Sequence, residues 1–192
     1  MPKIYIISGC NGAGKSTSAY TILPEILNCN EFVNADNIAA GISPFSPDSV
    51  AFEAGRIMLQ RIDQLVFQGV DLAIETTLSS KSYFFKIQNW QKQGYEIVLI
   101  YIWLNSPELA LERIADRVNK GGHSIPKETV IRRYYRGINN LFDLFIPVCD
   151  YWLIIDNSGG TPKMIAEGNK DVESEVFNKQ IWLTIKDLYH EK

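Results

Sequence analysis

The residues Gly9-Cys10-Asn11-Gly12-Ala13-Gly14-Lys15-Ser16 spell G-x-x-x-x-G-K-S, with Thr17 next, directly after the apolar run Ile4-Tyr5-Ile6-Ile7. These residue types at this spacing predict a phosphate cradle. Glycines let the backbone turn tightly, its N–H groups point at phosphate oxygens, and the helix that follows presents the positive end of its dipole. Gly9, Asn11, Gly12, Ala13, Gly14 and Thr17 are read as the cradle. Lys15 is read as reaching the β- and γ-phosphates of ATP and the Ser16 hydroxyl as a Mg²⁺ ligand. Cys10 contributes its backbone rather than its thiol.

Phosphoryl transfer also needs an oriented nucleophile, a metal-side carboxylate and cations that neutralise charge spreading in the transition state. Asp36 follows the second strand-like run, where acceptor sites gather in open parallel sheets. It is a candidate base for an acceptor hydroxyl, with an ordinary helix N-cap before Asn37 as the competing role. Glu75, in Glu75-Thr76-Thr77, follows the third such run. It is read either as a Walker-B-type group reaching Mg²⁺ or as a ligand for a substrate hydroxyl, against a capping or buried hydrogen-bonding role. Arg117, Arg132 and Arg133 flank the glycine-broken stretch Asn119-Lys120-Gly121-Gly122-His123-Ser124-Ile125-Pro126, which predicts a lid whose closure carries guanidinium groups to the γ-phosphate. His123 is read as a lid hydrogen-bonding residue.

These groups need a frame that gathers them at one end. Strand-like runs at Ile4 to Ser8, Glu31 to Val33, Asp71 to Ile74, Ile97 to Leu104 and Tyr151 to Ile155 alternate with helical patterns. Such alternation predicts an α/β fold, a parallel sheet of about five strands with helices on both faces, and the glycine-broken stretch predicts a helical lid near 113–136. The run Ile97 to Leu104 is apolar throughout, as expected of a strand covered on both faces, and is placed centrally beside the first. Helices are predicted after Ser46-Pro47 up to Gly69, after Ser106-Pro107, from Pro126 to about Pro147, before Gly94, and over Val172 to Tyr189 as a closing amphipathic helix.

With 192 residues, 46% hydrophobic and 21% charged, the composition suits one domain over 1–192. No apolar run approaches a membrane span. The first strand begins almost at Met1, which leaves no room for a leader and predicts a cytoplasmic protein. Cys10, Cys29 and Cys149 are too scattered for a disulfide framework or a metal knuckle. A net charge of −3 speaks against a general nucleic-acid binder. Yet seven cationic residues between Arg113 and Arg136 face only Asp116 and Glu128, a local excess that suits an anionic visitor.

In order, the cradle, Asn34-Ala35-Asp36, Ala54-Gly55-Arg56, Glu75-Thr76-Thr77-Leu78-Ser79, Gly121-Gly122-His123-Ser124-Ile125-Pro126 and Arg132-Arg133-Tyr134 resemble the zeta toxin family of P-loop kinases, in its short stand-alone bacterial branch. The resemblance runs from the first strand to Asp156-Asn157-Ser158. It implies a P-loop NTPase, nucleotide-kinase-like fold, ATP and Mg²⁺ as cofactors and transfer to a small-molecule hydroxyl, as in relatives that phosphorylate the 3′-hydroxyl of UDP-N-acetylglucosamine and other UDP-amino sugars. It implies Lys15 and Ser16 on phosphate and metal, Asp36 as base, Glu75, Thr76 and Arg56 toward the acceptor, and lid arginines on the transferring group, either Arg117 or the Arg132–Arg133 pair. A cognate antitoxin is an implied partner. A kinase of another metabolite, a nucleotide or an RNA end uses the same parts. A switch or motor ATPase is disfavoured, because neither an L-S-G-G-Q-like signature nor an apolar run ending in Asp-Glu occurs.

Overall fold

The computed structural model describes residues 1–122, 124–170 and 172–190, the side chains of 172, 173 and 190 excepted. His123, the expected lid hydrogen-bonding residue, lies outside the described residues. A seven-stranded sheet has the order β2-β3-β1-β4-β5-β6-β7. Its strands are β1 (Lys3–Ser8), β2 (Phe32–Val33), β3 (Leu72–Thr76), β4 (Glu96–Trp103), β5 (Tyr151–Asp156), β6 (Lys163–Asn169) and β7 (Val172–Val176). The first five in chain order pair in parallel, as the alternating pattern predicts.

The last two were not anticipated. β6 pairs antiparallel with β5, and β7 with β6, so the stretch from Val172 read as the start of the closing helix is first a strand. The helix itself, α7, begins only at Lys179 and runs to His190, where Asn178 Oδ1 accepts the Ile181 N–H at 3.1 Å.

The other helices are α1 (Lys15–Glu25), α2 (Ala35–Ile42), α3 (Ala51–Gln68), α4 (Ser82–Lys92), α5 (Pro107–Asn119) and α6 (Lys127–Asn140). Their ends follow local chemistry. Ser106 accepts the Leu109 N–H at 3.1 Å with Pro107 in the first turn, and Gly69 closes α3 at φ 68°. Pro47 opens a short 3-10 turn, Pro47–Val50, rather than α3 itself. Beyond α6 the chain widens into a π turn, Leu141–Phe145, where the Ile146 N–H reaches back to the Leu141 carbonyl at 2.9 Å.

The core lies around β1 and β4. Ile4, Ile6, Leu99 and Ile97 are fully buried, and each such side chain contributes roughly 1.5–3 kcal/mol by leaving water. The chain crosses one way from β1 to β2, then the other way through β3, β4 and β5. Right-handed crossovers therefore set α1 on the face opposite α3 and α4. Such a reversal opens a crevice beyond the carboxyl end of β1, where ligands bind in open parallel sheets.

The opposite end of the sheet is pinned by Asp150. Its carboxylate accepts the Ile97 N–H at 2.8 Å, the Gln91 amide at 3.0 Å and Lys170 Nζ at 2.7 Å, tying β4, α4 and the β6–β7 turn to the start of β5. Burial alone would raise this carboxyl, but the hydrogen bonds from Lys170, Gln91 and Ile97 outweigh it and hold Asp150 below its ordinary value near 3.8. A lowered carboxyl contributes stability that is complete above the ordinary value and is lost as pH falls through the folded value. Asp150→Asn is therefore expected to lower the unfolding free energy at pH 7 by about 1 kcal/mol per lost hydrogen bond. In urea titrations its deficit against wild type should shrink as the pH drops below about 4.

Candidate active site

Every expected group that reaches the crevice sits at the carboxyl end of a parallel strand or on a helix folded over it. After β1 the chain enters the cradle. Gly9 has φ 139°, and a Cβ there would stand 2.2 Å from the Ile102 carbonyl oxygen of β4. Gly14 has φ 87° and admits the Asn157 amide at a distance that a Cβ would close to 2.7 Å. Gly14 has no side chain with which to cap α1, so the helix start offers its N–H groups to an anion. Burial pushes the Cys10 thiol up to about 11, outweighing the pull of Lys15, consistent with an inert sulfur.

Lys15 opens α1 and is only 7% exposed. Its ammonium donates to the Cys10 carbonyl at 3.0 Å and lies 3.6 Å from Glu75 Oε1. The other oxygen of Glu75, at the end of β3, accepts the Ser16 hydroxyl at 2.6 Å and the Asn34 amide at 2.6 Å. Asn34 in turn caps α2, its Oδ1 accepting the Asp36 and Asn37 N–H groups at 2.7 and 3.2 Å. The N-cap is thus Asn34, while Asp36 stands exposed in the first turn with its carboxylate toward the crevice.

Two openings meet here. A cleft of about 1090 Å³ runs from the cradle past Arg113, Asp116, Arg117 and Lys120 to Asn157 and Pro162. A smaller one, about 180 Å³, is bounded by Asn34, Ala35, Thr76, Thr77 and Arg133. Asn11, Lys15, Asp36 and Glu75 line both.

Arg133 of α6 reaches the cradle, donating to Asn11 Oδ1 at 3.1 Å. Arg117 of α5 lines the larger cleft, and Gly122 N–H bonds its carbonyl at 2.9 Å, folding the glycine-broken turn back onto α5. Arg132 and Arg56 are exposed and line neither cleft. Three contributors carried no assigned role in the sequence reading. Asn157 Nδ2 donates to the Ala13 carbonyl at 2.8 Å, Arg113 clasps the Asn157 carbonyl at 2.8 Å, and Asn34 binds Glu75. Only Asn34 had a local signal, an N-cap residue type between a strand and a helix.

Among solved structures, a chain of the AvrRxo1-ORF1:-ORF2 complex determined with ATP superposes with a TM-score of 0.77 at 19% identity. The match covers 96% of this chain and 63% of that one, so the present chain spans less than two thirds of that protein's length. A chain from the PezAT chromosomal toxin-antitoxin system of Streptococcus pneumoniae gives a TM-score of 0.73 at 16% identity, covering all of this chain and 80% of that chain. At such identities the likeness is one of fold. In sequence, an uncharacterised protein of Haemophilus influenzae is 32% identical over 134 residues, which is 69% of this chain and 92% of that protein. The family model described as Zeta toxin matches residues 1–145, from β1 through α6, and the chain belongs to the Zeta toxin family.

Proposed function

We propose that this protein is an ATP- and Mg²⁺-dependent phosphotransferase acting on a hydroxyl of a small molecule, specifically a UDP-amino sugar such as UDP-N-acetylglucosamine. The observation that carries the reading is the junction of the two clefts at Asn11, Lys15, Asp36 and Glu75. A triphosphate in the larger cleft and a hydroxyl in the smaller one would meet between a cation and two carboxylates. The likeness to a structure determined with ATP supports the nucleotide, and family membership supports the reaction class.

The side chains present suit Mg²⁺. Ser16 Oγ and Glu75 Oε2 are hard oxygen donors 2.6 Å apart, and no group of three or more His, Cys, Asp or Glu that could hold a metal ion occurs among the described residues. A cation that takes one or two protein oxygens and completes its octahedron with phosphate and water fits such a set. When bound it would neutralise charge on the β- and γ-phosphates.

Lys15 holds the same phosphates from the cradle side. Arg133 stabilises the equatorial oxygens of the transferring group, and Arg117 the phosphate chain. Asp36 accepts the proton of the acceptor hydroxyl as that oxygen bonds to the γ-phosphorus and the bond to the leaving diphosphate breaks. Thr76 positions the acceptor from the end of β3. At about 180 Å³ the inner cleft is smaller than the ~300–1,000 Å³ typical of whole-ligand sites. It therefore takes the hydroxyl-bearing end, while the rest of the acceptor extends over the α2–α3 pair, where Arg56 is exposed. The PezAT likeness supports a cognate antitoxin as partner, and the cytoplasm is the proposed location.

Incubating the protein with ATP, Mg²⁺ and a panel of UDP-sugars, nucleosides and RNA, read by mass and ³¹P spectra, should yield a phosphorylated UDP-amino sugar. Transfer to another hydroxyl compound would displace the proposed acceptor, and no transfer to any member would remove the proposed reaction. On the confirmed acceptor, Asp36→Asn should lower kcat by about 10²–10⁴-fold with the KM for ATP nearly unchanged. For the arginines, Arg133→Ala is expected to cost about 10³-fold or more in kcat, whereas Arg132→Ala, exposed outside both clefts, should stay within about threefold of wild type. Equal losses in the two variants would reject this assignment.

A further inference from the structure

We propose that Asn34 is a positioning residue that holds the Glu75 carboxylate on Ser16 and away from Lys15, and so sets the affinity of the site for Mg²⁺. The inference rests on the phosphotransferase reading above and names a residue to which that reading assigns no role. Asn34 is 4% exposed, and both ends of its amide are engaged. The oxygen accepts two N–H groups of the α2 start, and the nitrogen donates to Glu75 Oε2 at 2.6 Å with Ser16 Oγ at 3.5 Å. These neighbours fix which way the amide faces, because the backbone groups can only donate and an ionised carboxylate can only accept.

The Glu75 carboxylate has two competing cationic or donor sides. Oε1 lies 3.6 Å from Lys15 Nζ, beyond good hydrogen-bond length, while Oε2 is held at 2.6 Å by both Ser16 and Asn34. Without the amide, rotation of the carboxylate toward the ammonium strengthens a buried ion pair and withdraws an oxygen from beside Ser16. A carboxylate turned that way is a poorer partner for a divalent cation, and Lys15 is a poorer partner for phosphate. Residue type matters here. Serine keeps a cap acceptor but lacks a donor long enough to reach Glu75, and aspartate keeps the cap but sets a second carboxylate against the first.

Asn34→Ser separates the two roles. Calorimetry with the full chain, Mg²⁺ and the non-hydrolysable analogue β,γ-imido-ATP should show the Mg²⁺ concentration for half-maximal enhancement of binding rising about tenfold, in the ~10–100-fold range of outer-sphere partners. Affinity for the analogue without Mg²⁺ should fall by a smaller factor, as Lys15 turns to Glu75, and Tm should stay within about 3 °C because the cap is kept. Asn34→Thr repeats the measurement if the serine variant does not fold. A Mg²⁺ midpoint within about twofold of wild type overturns the role of Asn34, whatever happens to turnover. If wild type binds the analogue with no Mg²⁺ enhancement, the phosphotransferase reading falls with it, so the two failures are told apart by the wild-type titration alone.

Discussion

The candidate site depends on one largely buried carboxylate. Glu75 is 12% exposed and faces a lysine that is 7% exposed, a pairing that repays its desolvation only where the remaining lone pairs are also satisfied. Ser16 and Asn34 satisfy them. The four residues arrive from three strands: Lys15 and Ser16 after β1, Asn34 at the end of β2, and Glu75 at the end of β3. β2 contributes only Phe32 and Val33 to the ladder. Its register against β3 is thus reinforced at the tip by the Asn34–Glu75 bond, which also carries the α2 start, and with it Asp36, into the crevice.

A second brace comes from α6. Arg133 reaches Asn11, the Tyr134 hydroxyl donates to the Leu104 carbonyl at 2.7 Å, and the Asn140 amide donates to the Leu78 carbonyl at 2.6 Å. Leu78 is fully buried with φ 54°, a conformation that costs a bulky residue about 1–3 kcal/mol and persists only where its surroundings over-determine it. Asn140 supplies part of that determination, and the Leu78 N–H bonds Thr76 Oγ1 at 3.2 Å. The loop presenting Thr76 and Thr77 to the inner cleft is therefore held in shape by the helix that also delivers Arg133. A shift of α6 moves both walls of that cleft together.

The parts of this arrangement written in local chemistry were legible from the sequence. The cradle, the Ser106 cap, the Gly69 stop and the five parallel strands follow from residue type and period. The β6–β7 hairpin was not legible, because its strands gain their hydrogen bonds from β5, far away in sequence. Val176, Phe177 and Ile181 lie at spacings that a helix also satisfies, and the Asn178 cap that separates strand from helix sits inside that pattern. Arg132 and Arg133 could not be told apart by charge or motif. Only the phase of α6 distinguishes them, since Val130, Arg133, Gly137 and Asn140 share one inward face at helical spacing while Arg132 points away. Asn157 meets the cradle, and Arg113 meets Asn157, through tertiary contacts that no spacing announces.

The distribution of size and polarity across the site separates chemistry from recognition. The inner cleft is small and lined almost wholly by groups that hydrogen-bond or carry charge, so under the proposed reaction it would test for a hydroxyl in the right place and little more. Discrimination among hydroxyl-bearing molecules needs surface that only part of them can fill, because unpaired buried polar groups, rather than extra contacts, give large selectivity. Under the proposed reaction, the segment positioned to supply it runs from α2 through the 3-10 turn into α3, between β2 and β3. Its start is fixed by the Asn34 cap and its later half by Met58, Ile62 and Leu65 in the core, so recognition there would fall to exposed side chains such as Arg56, which can differ without disturbing the carboxylates.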